Sequence, residues 1–256
     1  MISIKSKEEI EIMREGGQIL AGTLEKLQEK AKSGTNAADL DRLARELVFS
    51  SGASPSFLNY TPGEKGRGYP AALCVSVNDE VVHGLPLENK VLFEGDLVKL
   101  DLGVKWKNLF TDATIMFGIG KIPPVAEKLI RVTKECFELG AGEIRPGASL
   151  EKYARAVQKN AEKNGFSVVR DLVGHGVGHA VHEPPQILNY VSGKMNDIKL
   201  KEGMTLALEP MVNVGGWEIR LGEDGWTYRT ADGKLNGHFE HTVAVTKEGC
   251  EVLTKI

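Results

Sequence analysis

The strongest constraint on the fold is a pattern that occurs twice. Ser33-Gly34-Thr35 through Ser51-Gly52-Ala53 resembles Pro146-Gly147-Ala148 through Asn164-Gly165-Phe166 at a constant offset of 113 positions. In each copy a glycine precedes a capping position, a helix of similar length follows, and a second glycine closes it. An amphipathic helix precedes the first copy over 7–31, with Ile10, Met13, Leu20, Leu24 and Leu27 at helical spacing. Asn36 is the expected N-cap of the helix over 36–51, and Gly52 its stop. Pro123 and Pro124 open a third helix running to about Leu139, and a Ser149 cap opens a fourth that ends near Asn164–Gly165. Strand-like runs follow each pair. They are Ala72–Val77, Leu97–Trp106 and Leu109–Gly118, then Thr205–Val212, Trp217–Leu221, Gly225–Thr230, Phe239–Thr246 and Cys250–Leu253. A helix pair followed by strands, twice over, predicts an α+β fold whose halves, about 7–118 and 123–254, face each other across a pseudo-two-fold. Helix pairs of this kind also occur in α/β proteins without any repeat. No Pro/Gly/Ser-rich linker separates the halves, so 1–256 reads as one domain.

Several function classes are excluded by bulk properties. The net charge of −3 gives no pull toward nucleic acid or anionic membrane. Cys74, Cys136 and Cys250 are odd in number, far apart and without a CxxC pair. That argues against a disulfide framework or a thiolate metal site and favours a reducing compartment. The opening MISIKSKEEI has no apolar signal-peptide core, and no stretch approaches the roughly 18 apolar residues of a membrane span. A cytoplasmic protein is expected.

The chemistry lies in residues that contradict their surroundings. Asp101 and Asp112 interrupt apolar strand runs, and Lys105-Trp106-Lys107-Asn108 is the only good turn between them. A hairpin centred there would set the aspartates side by side on one face. Two ionised carboxylates at that distance repel unless a cation is shared, or one of them is exposed at a strand end. Gly174-His175-Gly176-Val177-Gly178-His179-Ala180-Val181-His182 carries three histidines whose spacing could suit a zinc site on one helix face. Its three glycines disfavour that helix and favour a loop in which backbone and imidazoles approach a ligand closely. Glu209 lies inside the apolar run Ala207–Val212, and Glu240 opens another at Thr242–Thr246. Lone carboxylates of this kind are commonly strand-end or salt-bridged residues. Taken together, four acids and one glycine-flanked histidine form a hard, oxygen-rich set suited to Mn, Fe, Co or Zn in a dinuclear site.

These segments resemble a known family. An Asp, a second Asp eleven residues later, GHGxG…HExP, GMT…EPM and FEHT, in that order over essentially the whole chain, resemble the type I methionine aminopeptidases of the pita-bread fold. VVHGLP, GMTLALEPMVN, DGWT and FEHTV narrow the resemblance to the methionine-specific branch. It implies that Asp101, Asp112, His175, Glu209 and Glu240 hold two divalent ions, with Asp112 and Glu240 bridging. Asp101 would sit on one ion only, and His175 and Glu209 on the other. His83 and His182 would be the non-ligand histidines that handle the substrate amide and the tetrahedral intermediate. Phe57, Tyr60, Tyr69, Cys74, Val181 and Trp226 would line the methionine pocket. The chain departs from the family in a longer Thr61–Gly68 link, in Phe57 where Cys is common, in Val181 where an aromatic is commoner, and in His179 where Arg or another residue is usual.

The activity so implied is hydrolytic removal of the N-terminal methionine from nascent polypeptides by a dinuclear metal-bound hydroxide. Glu209 would pass the proton to the leaving amine. The expected partners are nascent N-termini, with ribosome contact implied by the family, and a monomer is expected. Three rivals remain at this point. One is a proline-specific exopeptidase of the same fold, although only 82 residues precede His83 and the usual extra N-terminal domain has no room. The second is a non-catalytic binding module, and the third is a mononuclear zinc site on His175, His179 and His182.

Overall fold

A computed structural model describes residues 2–61, 67–195 and 198–255. The Pro62–Gly66 part of the long link between Tyr60 and Tyr69 lies outside the described residues.

The first half contains helices α1 (Lys7–Lys30) and α2 (Ala37–Ser50) and strands β1 (Ser54–Pro55), β2 (Leu73–Val77), β3 (Glu80–Val82), β4 (Leu97–Trp106) and β5 (Leu109–Gly118). The second contains α3 (Pro124–Ala141), α4 (Glu151–Lys163), β6 (Ser167–Val168), β7 (Gly174–Gly176), β8 (Glu183–Ile187), β9 (Thr205–Leu208), β10 (Met211–Asn213), β11 (Ile219–Leu221), β12 (Tyr228–Thr230), β13 (Asn236–His238), β14 (Glu240–Thr246) and β15 (Gly249–Val252). A nine-stranded antiparallel sheet runs β1-β4-β5-β14-β9-β7-β8, with β2 also on β4 and β15 also on β14. Two three-stranded sheets, β13-β10-β6 and β11-β12-β3, flank it.

The helices begin and end for local reasons. Ser6 and Glu9 form a reciprocal capping box on α1, and the Asn36 side chain accepts the Ala38 N–H at 2.8 Å. Pro123 precedes α3, with Pro124 in its first turn. The cap of α4 falls on Leu150 rather than Ser149. The backbone there is already helical, and the Ser149 hydroxyl instead accepts the Glu151 N–H at 3.3 Å.

The repeat is written in the backbone. Gly34 and Gly147, and again Gly52 and Gly165, share left-handed φ values of 90° and 78°, then 81° and 80°. The Gly34 N–H donates to Leu92 O at 2.8 Å while the Leu92 N–H returns to Thr35 O at 2.9 Å. Gly147, Leu200 and Ala148 reproduce that exchange at 2.8 and 2.9 Å. Each helix pair backs its own half. Leu20, Leu24, Leu40 and Val48 pack on Leu73, Leu100 and Leu102, whereas Leu129, Val132, Tyr153 and Val157 pack on Leu206, Leu208 and Val243.

Two expectations are corrected here. In the β4–β5 hairpin Trp106 pairs with Leu109, so Asp101 opposes Thr114 and Asp112 opposes Gly103. Lys107 and Asn108 take the positive φ values of a tight two-residue turn, which moves its centre one position along the chain. The aspartates are therefore diagonal neighbours on one face rather than directly paired. The expected strand over Thr205–Val212 is two strands. It breaks at Glu209-Pro210, where proline has no N–H for the ladder, and the chain passes from the large sheet into a small one.

Candidate active site

Sheet register collects the acids. Cys74 pairs with Asp101, Asp101 with Thr114, and Thr114 with Glu240, so these four cross β2, β4, β5 and β14 in one row on one face. Asp112 lies two residues from Thr114 on that face. On the far side Thr242 pairs with Ala207, and Ala207 with His175, which brings the imidazole to the same surface. The Asp112 N–H donates to Thr242 Oγ1 and the Thr242 hydroxyl donates to Asp112 O, both at 2.8 Å, locking the two halves at this junction. Glu209 arrives from the strand break, with its carbonyl accepting Asn189 Nδ2 at 3.0 Å.

Ligand atoms of Asp112, His175 and Glu240 all lie within 4.8 Å of one another. His175 Nε2 is 3.5 Å from Glu209 Oε1 and 4.0 Å from Asp112 Oδ2. Thr114 Oγ1 donates to Glu240 Oε2 at 3.0 Å. Among the described residues no lysine or arginine pairs with any of the four acids, and Asp101 Oδ1 and Asp112 Oδ1 are buried without a hydrogen-bond partner. Burial pushes the Asp101 carboxyl up to about 7. Burial, then the neighbouring acids, hold Asp112, Glu209 and Glu240 well above the usual carboxylate range. Burial, then His182, hold His175 down at about 3, so its ring is neutral and able to donate a lone pair. Four acids crowded and dehydrated without countercharge, beside a neutral imidazole, fit divalent cations and little else.

The cavity in front of them holds about 640 Å³. One wall is formed by Phe57, Tyr69 and Cys74, with Tyr60 and Trp226 at its edge; Leu85 and Val181 complete the same apolar cluster without lining the cavity, so Val181 is not the pocket wall expected of it. The Tyr69 and Trp226 rings meet edge to face at 5.2 Å. His83 faces the cavity from a left-handed backbone, φ 57°, and burial lowers its pKa to about 4. The His182 ring stacks edge-on to His175 at 4.3 Å, and its Nδ1 lies 2.6 Å from the Tyr60 hydroxyl. Burial lowers the His182 pKa as well.

His179 does not belong to this group. It is half exposed, and its Nε2 meets Glu9 Oε1 at 2.7 Å on the outside. The three-histidine site is therefore not assembled. Glu183 anchors the loop instead. It accepts the Ala180 and His179 N–H groups and pairs with the buried Lys5 ammonium at 2.6 Å. Lys5→Met leaves that carboxylate short of its main countercharge. The expected loss is on the order of 3 kcal/mol in a chemical-denaturation curve, with the midpoint moving and the slope unchanged.

One site residue was not foreseen. His238 opposes Met211 across β10 and β13, with Nε2 buried, unpartnered, 3.7 Å from Glu209 and 3.9 Å from Glu240. In the sequence its segment stands out only for Glu240, and the pairing that aims the ring inward involves strands of three residues, too short for a pattern.

The curled sheet with an acid row on its concave face is that of the pita-bread metallopeptidases. The chain belongs to metallopeptidase family M24, whose model matches residues 11–247, and within it to the methionine aminopeptidases. It is 45% identical to methionine aminopeptidase of Clostridium perfringens, covering 100% of both chains. The crystal structure of methionine aminopeptidase from Thermotoga maritima matches with a TM-score of 0.95 at 42% identity, covering 100% of both chains. Xaa-Pro dipeptidase from Bacillus anthracis shares the fold at 22% identity and a TM-score of 0.78, covering 99% of this chain but 62% of that one. No described helix is long and apolar enough to cross a membrane.

Proposed function

We propose that residues 1–256 form one catalytic domain that removes the N-terminal methionine from nascent polypeptides as a cytoplasmic monomer. Asp101, Asp112, His175, Glu209 and Glu240 would hold two divalent cations. The observation carrying this reading is the convergence of Asp112, His175 and Glu240 ligand atoms within 4.8 Å, with neighbouring carboxylate oxygens buried and unpartnered. When bound, such ions acidify a water and polarise a carbonyl at neutral pH.

The remaining steps belong to the side chains. Glu209 accepts the proton of the attacking water and returns it to the departing amine. Tyr60 donates its hydroxyl proton to His182 Nδ1, which leaves Nε2–H free to donate to the scissile carbonyl oxygen as charge builds there. His83, kept neutral by burial, orients the leaving peptide nitrogen. The slot of Phe57, Tyr69, Cys74 and Trp226 takes a thioether against aromatic faces. Tyr60, expected as pocket lining, thus also sets the tautomer of His182.

The test compares Met-Ala-Ser with Met-Pro and Xaa-Pro peptides on the purified protein, together with metal analysis. Methionine release from the first, with two ions per chain, supports the reading; preference for Xaa-Pro bonds or absence of hydrolysis refutes it. His182→Ala is expected to lower kcat by roughly 10²-fold with metal content unchanged. Loss of metal in that variant would make His182 a ligand.

A further inference from the structure

Behind the acid row lies a buried lysine that the reaction does not use. Lys99 is on β4, two residues before Asp101 and on the same face, and it is 1% exposed. Among the described residues no carboxylate lies within ion-pair reach of its ammonium. Its Nζ donates instead to two backbone carbonyls, Asn78 O at 3.0 Å and Asn236 O at 3.1 Å. The nearest charges already balance one another. Glu80 pairs with Lys90 at 2.8 Å and with Arg229 at 2.6 Å, and Arg229 also pairs with Asp79 at 2.9 Å. Burial without a paired carboxylate pushes the Lys99 ammonium down to about 7, and an apolar side chain of equal length would fill the space at lower cost.

The two carbonyls explain what the cost secures. Asn78 sits in the left-handed turn between β2 and β3, and β3 leads directly to His83. Asn236 opens β13, which carries His238 and runs on to Glu240. One carbonyl belongs to the first half of the chain and the other to the second. The Asn236 N–H also donates to Asn78 O, at 3.1 Å, so both segments meet at one oxygen beneath the ammonium. Asn236 Nδ2 reaches Asn213 Oδ1 at 2.7 Å, which extends the junction to β10.

We propose that Lys99 is a positioning residue: its buried amino group, donating to both carbonyls, draws the His83-bearing and Glu240-bearing segments onto the strand carrying Asp101. This rests on the aminopeptidase reading for its effect on rate, but the amine pocket itself does not depend on it. Lys99→Met removes the donor at similar volume, and Lys99→Ala leaves room for a small amine to take the place of the lost amino group.

With the metal-loaded protein and Met-Ala-Ser, Lys99→Met is expected to lower kcat by roughly 10–100-fold with little change in KM, the size of effect that follows small misplacement of reacting groups. In Lys99→Ala, methylammonium is expected to restore much of the lost kcat, whereas tetramethylammonium at equal ionic strength does not. The readout without turnover is the melting temperature of metal-free Lys99→Ala, which methylammonium should raise by several degrees while leaving the unsubstituted protein unmoved. Wild-type kcat in Lys99→Met would overturn the proposal, and so would a folded Lys99→Ala whose rate and melting temperature both ignore methylammonium. Should Lys99→Met not fold, Lys99→Gln takes its place in the kcat comparison. If the unsubstituted protein does not cleave Met-Ala-Ser, the aminopeptidase reading fails, and the melting experiment alone decides on Lys99.

Discussion

Glu209→Gln is expected to fold normally and to lose turnover by roughly 10²–10⁴-fold, the range for removing a general acid–base group. The two side chains have nearly the same shape, so the packing beside His175 and His238 is kept. What disappears is the proton acceptor at the strand break. The amide also removes one member of a repelling group of buried acids, since burial and Glu240 both raise the Glu209 pKa. The metal-free variant should therefore melt no lower than the parent. The decisive measurement is kcat on Met-Ala-Ser beside melting and metal content. Near-normal turnover removes Glu209 from the mechanism; lost turnover with an unfolded protein would give it a structural role instead.

Asp112→Asn is expected to have two opposite effects. Asp112 shares a donor cluster with His175 and Glu240, all within 4.8 Å of one another, and its loss should empty the site of metal and abolish hydrolysis. The same change should stabilise the metal-free protein by about 1–2 kcal/mol, which is a few degrees for a chain of this size. A carboxylate surrounded by Glu240, Asp101 and Glu209 is replaced by a neutral amide whose N–H groups can donate to those neighbours. Calorimetry of the two metal-free proteins, with elemental analysis of the metal-loaded ones, reads both effects. A variant that keeps its metal and its activity would restore the mononuclear histidine site, against the position of His179 on the surface beside Glu9.

Much of this site was legible because its residues violate local preference. A carboxylate in an apolar strand stands out whatever the register, so Asp101, Asp112, Glu209 and Glu240 are legible as candidates from the sequence. The register itself was not legible. Moving the hairpin centre by one residue shifts the pairing by two, an even number that keeps Asp101 and Asp112 on one face while separating them diagonally. The long strands β4 and β5 were read to the residue because β-branched and apolar side chains fill them. By contrast β7, Gly174–Gly176, and β13, Asn236–His238, have no periodicity and exist only because a neighbour pairs with them. His238 was missed for that reason. The interruption at Glu209-Pro210 was hidden by the apolar residues on both sides, although proline marked the place where a ladder must end. Tyr60 was assigned to the pocket by resemblance, and only the folded chain brings its hydroxyl to His182.

The glycine opposite Asp112 bears on any redesign of selectivity. A β-carbon at Gly103 would fall 1.9 Å from Ser56 Oγ and 2.9 Å from Phe57 Cε1, so the phenyl ring occupies ground that a methyl group would otherwise hold. The floor of the slot and the acid-bearing hairpin share one boundary with no spare thickness. Phe57 lines the cavity on one side and is backed by Gly103 on the other, so its ring has room only on the cavity side. Position 103 has none, since any side chain there must displace the Ser56 hydroxyl and the Phe57 ring.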